Sequence, residues 1–138
     1  MTLFLTVDND FGVAFNRRRQ SRDSAVVCDI ASSACGDIIM TAYSAKLFGD
    51  MPQVLVVDDI FLPKTDGFVF CECVDTAEHF DIFDTIVLYK WNRDYPHDIV
   101  LSKTPVQCGF VLKSTTEFVG SSHDNITKEV WIKHNEQK

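Results

Sequence analysis

Short apolar runs divided by polar turns recur along the chain, and they have the length of β-strands rather than helices. Val54 to Val57 form one such run, and Phe68 to Cys71 form another. Because these runs have no polar face, they are typical of strands buried on both sides in a parallel sheet. The pattern predicts one sheet that contains Thr2 to Val7, Ile38 to Met40, Val54 to Val57, Phe68 to Cys71 and Ile86 to Tyr89.

A helical pattern follows the first strand after a long polar loop. Apolar residues recur every three or four positions from Val27 to Cys35, which is the spacing of one buried helix face. Asp23 or Ser24 is a suitable N-cap, and Gly36 is suited to end the helix. We therefore predict a helix from Ser24 to Cys35 that packs on the sheet.

Two shorter segments and the C-terminal part complete the pattern. Tyr43 to Phe48 is predicted as a short helix, and a second one follows the capping box of Asp75 to Glu78. Gly109 to Phe118 and Ile126 to Lys133 alternate like an antiparallel pair. We predict an α/β fold in which residues 1 to 138 form a single domain, with a mixed, mostly parallel sheet, flanking helices and a C-terminal antiparallel strand pair.

Composition places the chain among globular proteins. It has 138 residues, of which 46% are hydrophobic and 24% charged, enough for a core without disulfides or metals. No apolar run approaches the roughly 20 residues of a membrane helix, and the N-terminus lacks a basic leader. Five cysteines without a framework spacing indicate reduced thiols. We expect a cytoplasmic protein with no membrane partner.

The basic charge is local. The net charge is −7, yet four of the five arginines lie at Arg17, Arg18, Arg19 and Arg22. An acidic body argues against general nucleic-acid binding, which needs a basic face. Guanidinium groups beside a helix N-terminus nevertheless suit a small phosphate-bearing anion, because free N–H groups and bidentate donors converge there. A solvated loop and an anion site both remain open interpretations of this segment.

Other candidate chemistry is weaker. Cys71 and Cys73 with His79 offer soft ligands but no fourth one, so no metal site is predicted. The segment Gly120 to Asp124 contains the residue types of a hydrolytic triad, but sequence neighbours rarely reach the relay geometry, so we predict a polar turn. Asp23 is either a helix cap or a catalytic acid, and the cap is the commoner role of such a residue.

Three segments follow one another in an order that is typical of one family. Phe4 to Asn16 contain a strand and a glycine-bearing loop, and Ile38 to Gly49 contain a strand followed by a short helix. Phe83 to Trp91, Arg93 to Asp98 and the terminal strand pair provide closing strands. Together these segments resemble a shortened, divergent dihydrofolate reductase fold.

The resemblance implies a site as well as a fold. It makes Asp23 the match of the family's pterin-binding acid, and it places Ser44 on the helix beside the cofactor phosphates. The cofactor-binding candidates are therefore Arg17, Arg18, Arg19, Arg22 and Ser44. The candidates for substrate-binding pocket walls are Phe11, Phe15, Tyr89 and Trp91.

The sequence departs from the family where the enzyme's ligands bind. A Gly-Gly pair of the family is replaced here by Cys71-Glu72-Cys73, whose side chains oppose close approach of a cofactor. A glycine-arginine pair is replaced by Thr41-Ala42, a strand threonine by Tyr89, and part of the adenosine side is missing between Gly49 and Phe68. No cofactor is predicted, and NADPH enters only through the resemblance.

The chain is also similar to small bacterial proteins labelled ribonuclease Z. That activity requires a close cluster of histidines and aspartates that holds two metal ions. His79, His97, His123 and His134 stand alone in the sequence. We therefore exclude a metallonuclease.

Three functions follow from these observations. The first is a protein that binds or sequesters a phosphate-bearing small molecule, such as a nucleotide, without turning it over. The second is a divergent NADPH-dependent reductase with Asp23 as proton donor. The third is a protein-interaction module or inhibitor that uses the loop of Arg17 to Arg22, called the arginine loop below, or the acidic body, or that assembles as a homo-oligomer.

Overall fold

The computed structural model describes residues 1–61 and 67–133, which form a large mixed sheet, a short ribbon and helices. The strands are β1 (Thr2–Val7), β2 (Gly12–Ala14), β3 (Ile38–Met40), β4 (Val54–Val56), β5 (Phe68–Phe70), β6 (Thr85–Lys90), β7 (Ile99–Val100), β8 (Phe110–Phe118) and β9 (Ile126–Lys133). The α-helices are α1 (Ser24–Ser33) and α2 (Ala42–Phe48). Two 3₁₀ helices span Ala77–Ile82 and Val106–Cys108.

The large sheet has the order β4-β3-β5-β1-β6-β9-β8. Strands β4, β3, β5, β1 and β6 are parallel to one another, while β9 is antiparallel to both β6 and β8. All five predicted strands therefore lie in one sheet, and the terminal pair closes it. The predicted fold class, an α/β fold with a mostly parallel mixed sheet and a C-terminal antiparallel pair, is confirmed.

The central strands β3, β5, β1 and β6 are buried on both faces. The prediction that Val54 to Val57 is also buried on both sides is wrong, because β4 lies at the edge of the sheet and exposes Leu55 and Val56. Alternate residues of β1 point to opposite sides: Leu3 and Leu5 join a core cluster under the 3₁₀ helices, while Phe4 joins a cluster under α1. Val26 and Ile30 are the buried residues of α1 and pack in that second cluster. This two-layer burial explains why the strands lack a polar face.

The first helix ends earlier than the sequence predicts. α1 stops at Ser33, and Ala34 follows in an extended conformation at φ −82° while its N–H still bonds to the Ile30 carbonyl. Gly36 therefore does not terminate the helix. None of the helices in the described parts of the chain is long and apolar enough to cross a bilayer.

The β2–β7 ribbon was not predicted, because two or three residues carry too little pattern. Gly12 pairs with Val100 in it. A Cβ at Gly12 would lie 2.6 Å from an Asp8 carboxylate oxygen and 2.8 Å from the His97 ring. The ribbon can lie this close to the end of β1 only because residue 12 has no side chain.

Candidate functional site

The candidate site lies where the parallel strands end. In open α/β sheets, ligands bind outside the carboxyl ends of the strands. At this edge Asp8 follows β1, Thr41 follows β3, and Glu72 lies two residues beyond β5. The arginine loop crosses the edge, since Gln20 donates a hydrogen bond of 2.8 Å to Asp8.

Arg19 is fixed to this edge by Glu72. Its Nε donates to Glu72 Oε2 at 2.8 Å and its Nη2 to Oε1 at 2.9 Å, which makes a bidentate pair. The Ser44 hydroxyl donates to the same carboxylate at 2.8 Å, and the guanidinium lies 4.3 Å from the centre of the Tyr43 ring. The hydrogen bonds that Arg19 donates to Glu72 raise the pKa of Arg19. Two predicted phosphate ligands, Arg19 and Ser44, thus contact a carboxylate of the chain itself.

The other three arginines of this loop, Arg17, Arg18 and Arg22, are exposed, and within residues 1–61 and 67–133 they form no ion pair. Two cavities open beside them. The Arg18 cavity, of about 590 Å³, is lined by Phe15, Asn16, Arg18, Arg19, Gln20 and Pro96. The Arg22 cavity, of about 630 Å³, is lined by Ser21, Arg22, Asp23, Ser24, Val27, Cys28, Leu47, Ser121 and Ser122. Arg17 lines neither of these two cavities.

Asp23 caps α1, as predicted. Its Oδ1 accepts a hydrogen bond of 2.9 Å from the Ala25 N–H, and the Ser24 N–H donates to the Ser121 hydroxyl at 2.9 Å. The sequence suggested that free N–H groups at this helix end favour an external anion. The structure corrects that premise, because these two N–H groups already have partners in the chain.

The turn between β8 and β9 closes over Asp23. Ser121 N–H donates to its Oδ1 at 2.8 Å, and Ser122 N–H donates to its Oδ2 at 2.9 Å. His123 Nδ1 lies 2.9 Å from the same Oδ2. Burial opposes ionisation of Asp23, but these hydrogen bonds outweigh it and hold the pKa well below its usual range.

His123 connects Asp23 to two hydroxyl groups. On the far side of its ring, Nε2 lies 2.8 Å from the Tyr95 hydroxyl and 3.2 Å from the Ser21 hydroxyl. The ring is buried and stacks on Trp91, with centroids 4.6 Å apart. The sequence analysis missed this relay, because it joins His123 to a partner 100 residues away. The sequence showed that His123 follows two serines, but it did not show that Asp23 is the acid that pairs with this histidine.

Gly120 permits the turn to approach Asp23. The turn is tied down by a hydrogen bond of 2.9 Å from the Gly120 N–H to the His123 carbonyl. A Cβ at Gly120 would clash with the Asp23 carboxylate. The predicted polar turn is present, and its glycine is needed because the turn packs on a buried acid.

The four aromatic candidates lie in different surroundings. Phe15 is exposed and lines the Arg18 cavity, while Phe11 packs partly buried against the core. Tyr89 is fully buried, and its hydroxyl donates to Asp29 at 2.5 Å. Trp91 is buried against His123. The structure therefore brings one of the four, Phe15, to an open cavity of the arginine loop.

Asp8 forms a second buried polar centre. It accepts hydrogen bonds from the Gly12 N–H at 2.6 Å and the Asp10 N–H at 2.8 Å, and His97 Nδ1 lies 2.9 Å from it. Burial opposes its ionisation, but these bonds lower the pKa of Asp8. The contact with Asp8 raises the pKa of His97. This centre fixes the ribbon and the loop to the end of β1.

The two buried acids give a prediction for acid stability. Because their pKa values are lower in the folded than in the unfolded chain, their contribution is complete above the unfolded value of about 4 and is lost as the pH falls through the folded values. His97 has the opposite sign: its contribution is present below about pH 6.5 and is lost as the pH rises through its raised pKa. We expect the melting temperature to fall on acidification below about pH 4, and Asp8→Asn and Asp23→Asn each to flatten that fall. An unchanged acid profile in both variants would contradict this assignment.

No cluster of three or more metal-ligating side chains occurs in the part of the chain that the structure describes. Burial, with the charge of Glu72, raises the pKa of the Cys71 thiol, and burial also raises that of Cys73. His134, named in the sequence analysis, lies outside the described residues.

Comparison with known proteins bears on the fold. No protein-family model matches the chain, and no curated protein is similar to it in sequence; the ribonuclease Z similarity has no support. The structure is similar to dihydrofolate reductase from Enterococcus faecalis complexed with NADP(H) and RAB-propyl, with a TM-score of 0.66 and 7% identity over 97% of this chain and 96% of that one. At such low identity the likeness concerns the fold alone. The chain therefore has a dihydrofolate-reductase-like fold.

Proposed function

We propose that the protein binds a phosphate-bearing small molecule, such as a nucleotide, at the arginine loop, and that it does not use NADPH to reduce dihydrofolate. The observation that carries the proposal is the Arg22 cavity. An exposed guanidinium, serines and apolar side chains all line it.

The composition of the cavity indicates the class of ligand. Val27 and Leu47 provide an apolar wall for a ring or an alkyl group. Arg22 and Ser24 provide polar groups for an anion, whereas the Ser121 hydroxyl already donates to Asp23 at 3.0 Å. Ligand sites are typically such apolar concavities with a few directed polar groups, and an arginine binds phosphate through two parallel N–H donors. A nucleotide has both parts.

Electrostatics favours Arg22 and Arg18 over Arg19 as ligands. The Arg19 guanidinium is already neutralised by Glu72, whose side chain is 4% exposed. An incoming phosphate would have to displace that carboxylate or lie beside it. Arg18 lines a more polar cavity next to this pair, so we assign it a supporting role, in the approach of the anion.

The same ion pair argues against hydride transfer from NADPH. The family that the fold resembles has a Gly-Gly pair where this chain has Cys71-Glu72-Cys73, and that pair lets the backbone approach the cofactor. Here the Glu72 carboxylate is fixed at that place by Arg19 and Ser44. The paired side chains occupy the space that a bare backbone would leave to the cofactor, so the residues present do not fit NADPH.

A thermal-shift panel tests the binding proposal. A ligand at 100 times its Kd stabilises the folded state by about 2.7 kcal/mol, which raises the melting temperature of a domain of this size by roughly 5 to 15 °C. The panel contains inorganic phosphate, mono-, di- and cyclic nucleotides, and NADPH. We expect at least one nucleotide to give this shift, and Arg22→Ala to abolish it.

Matched variants locate the effect. Arg22→Lys keeps the charge but not the bidentate geometry, so we expect it to recover part of the shift only. Arg17→Ala removes an equally exposed arginine of the same loop that lines neither cavity, so the shift should persist. No shift with any phosphate compound, or a shift that survives Arg22→Ala and Arg18→Ala together, would overturn the proposal. NADPH oxidation with dihydrofolate would instead restore the reductase hypothesis.

A further inference from the structure

We propose that Ser21 is a nucleophile, activated by His123 and oriented through Asp23, that attacks the acyl carbon of small esters in the Arg22 cavity. This inference goes beyond the binding function proposed above and rests on a different observation, the relay of three side chains from a buried acid to a cavity wall. The loop and the turn that supply the relay lie 102 residues apart at Ser21 and His123.

The acid end of the relay fixes the tautomer of the histidine. Asp23 accepts hydrogen bonds from two backbone N–H groups of the turn, at Ser121 and Ser122, and these bonds lower the pKa of the carboxyl. An ionised carboxylate can only accept, so His123 Nδ1, 2.9 Å away, carries a hydrogen. The Nε2 of a neutral ring then has a lone pair that faces away from Asp23.

The hydroxyl end of the relay lies at a cavity. Ser21 Oγ is 3.2 Å from Nε2, and Ser21 lines the Arg22 cavity. Acid, base and hydroxyl thus stand in the same relation as in serine hydrolases, in which the acid orients the base and the base accepts the hydroxyl proton. The stacked Trp91 ring keeps the imidazole in the plane that this transfer requires.

Tyr95 modulates the base. Its hydroxyl lies 2.8 Å from Nε2 and 3.3 Å from Ser21 Oγ. A neutral imidazole has one acceptor position, so Tyr95 and Ser21 share it. In the resting protein Tyr95 has the shorter contact and therefore restrains the nucleophile.

The reaction balances without a cofactor. Ser21 Oγ forms a bond to the acyl carbon while the Oγ proton moves to His123 Nε2. The bond from carbon to the leaving oxygen then breaks, and Nε2 returns the proton to that oxygen. Water hydrolyses the acyl-serine by the same steps. The exposed Arg22 guanidinium on the cavity wall favours esters that also carry a negative charge.

A fluorophosphonate probe tests the nucleophile in the wild-type protein. The Oγ–P bond forms, the P–F bond breaks, and fluoride leaves while Nε2 accepts the proton. Peptide mass spectrometry should place the adduct on Ser21. Ser24 provides an internal control, because it lines the same cavity without a hydrogen bond to His123 among the described residues. No adduct, or equal labelling of Ser21 and Ser24, would overturn the proposal.

Variants then test the relay. Removal of a general base lowers rates by about 10² to 10⁴, so His123→Gln should lower the labelling rate at least about 100-fold. Tyr95→Phe keeps the ring and frees Nε2, so it should label faster than the wild type. A Tyr95→Phe protein that folds but does not label would contradict the assignment. The adduct is measured without any nucleotide, so the two proposals fail separately: labelling of Ser21 in a protein that no nucleotide stabilises would overturn the binding proposal alone, and a thermal shift without an adduct would overturn this inference alone.

Discussion

Asp23→Ala is expected to lower the free energy of unfolding by about 3–5 kcal/mol, the range for leaving a buried charged network without one partner. The side chain is fully buried. Its two oxygens accept hydrogen bonds from the N–H groups of Ala25, Ser121 and Ser122 and from the His123 ring. Alanine would leave these donors unsatisfied, and each buried orphan costs about 1–3 kcal/mol. The melting temperature should drop by roughly 10–20 °C.

Two variants control this prediction. Asp124→Ala removes an exposed carboxylate next to His123 and should change stability by no more than about 0.5 kcal/mol. Gly120→Ala leaves Asp23 in place but introduces the methyl group that clashes with its carboxylate, so it should destabilise as well. Chemical denaturation followed by circular dichroism measures all three. A loss below about 1 kcal/mol for Asp23→Ala would show that the turn does not pack on this acid.

Glu72→Ala is expected to cost about 2–4 kcal/mol, because it leaves a partly buried guanidinium and the Ser44 hydroxyl without their acceptor. This loss of stability is smaller than the loss expected for a fully buried ion pair, because the Arg19 side chain is 20% exposed. Arg19→Ala should cost at least as much as Glu72→Ala, because it leaves the Glu72 carboxylate, whose side chain is 4% exposed, without its cation. The double variant should lose less than the sum of the single losses, with a coupling energy of about 1–3 kcal/mol.

A largely exposed carboxylate serves as the matched control. Asp84 pairs with the N-terminal amine at 3.4 Å, and its side chain is 73% exposed. Asp84→Ala should therefore cost at most about 1 kcal/mol. Strict additivity of Glu72→Ala and Arg19→Ala would contradict a bidentate pair between these residues.

The fold was predictable because its central strands are short, apolar and bounded by turns. Burial on both faces leaves one interpretation for Phe68 to Cys71, and the cap at Asp23 marks where α1 begins. The apolar run of Val54 to Val57 indicated a strand, but not that this strand is an exposed edge. The β2–β7 ribbon had no comparable signal, since its strands are too short to show a period. The prediction that Gly36 ends α1 was wrong, because the helix stops at Ser33 and the next residue, Ala34, is extended and buried.

The candidate site was predictable only in part. The arginine loop and its place before α1 were visible in the sequence, but the partners of its side chains were not. Arg19 contacts a carboxylate 53 residues away, and Asp23 contacts a histidine 100 residues away. A single sequence contains no signal for such pairs. The arginines therefore looked equivalent, whereas the structure divides them into one neutralised guanidinium and three exposed ones.

Two cysteines of the chain permit a direct test of whether a phosphate-bearing molecule occupies the Arg22 cavity. Cys28 and Cys35 are both exposed, but only Cys28 lines that cavity. Alkylation rates of both thiols are measured by mass spectrometry with and without each nucleotide. A bound ligand at 100 times its Kd leaves about 1% of sites free.

The predicted result is that the nucleotide with the largest thermal shift slows alkylation of Cys28 about 10-fold or more, as a nearly filled site requires, while the rate of Cys35 stays unchanged. Arg22→Ala should restore the rate of Cys28 in the presence of the same nucleotide. Equal rates for Cys28 with and without every nucleotide of the panel, or equal protection of both cysteines, would contradict binding in this cavity.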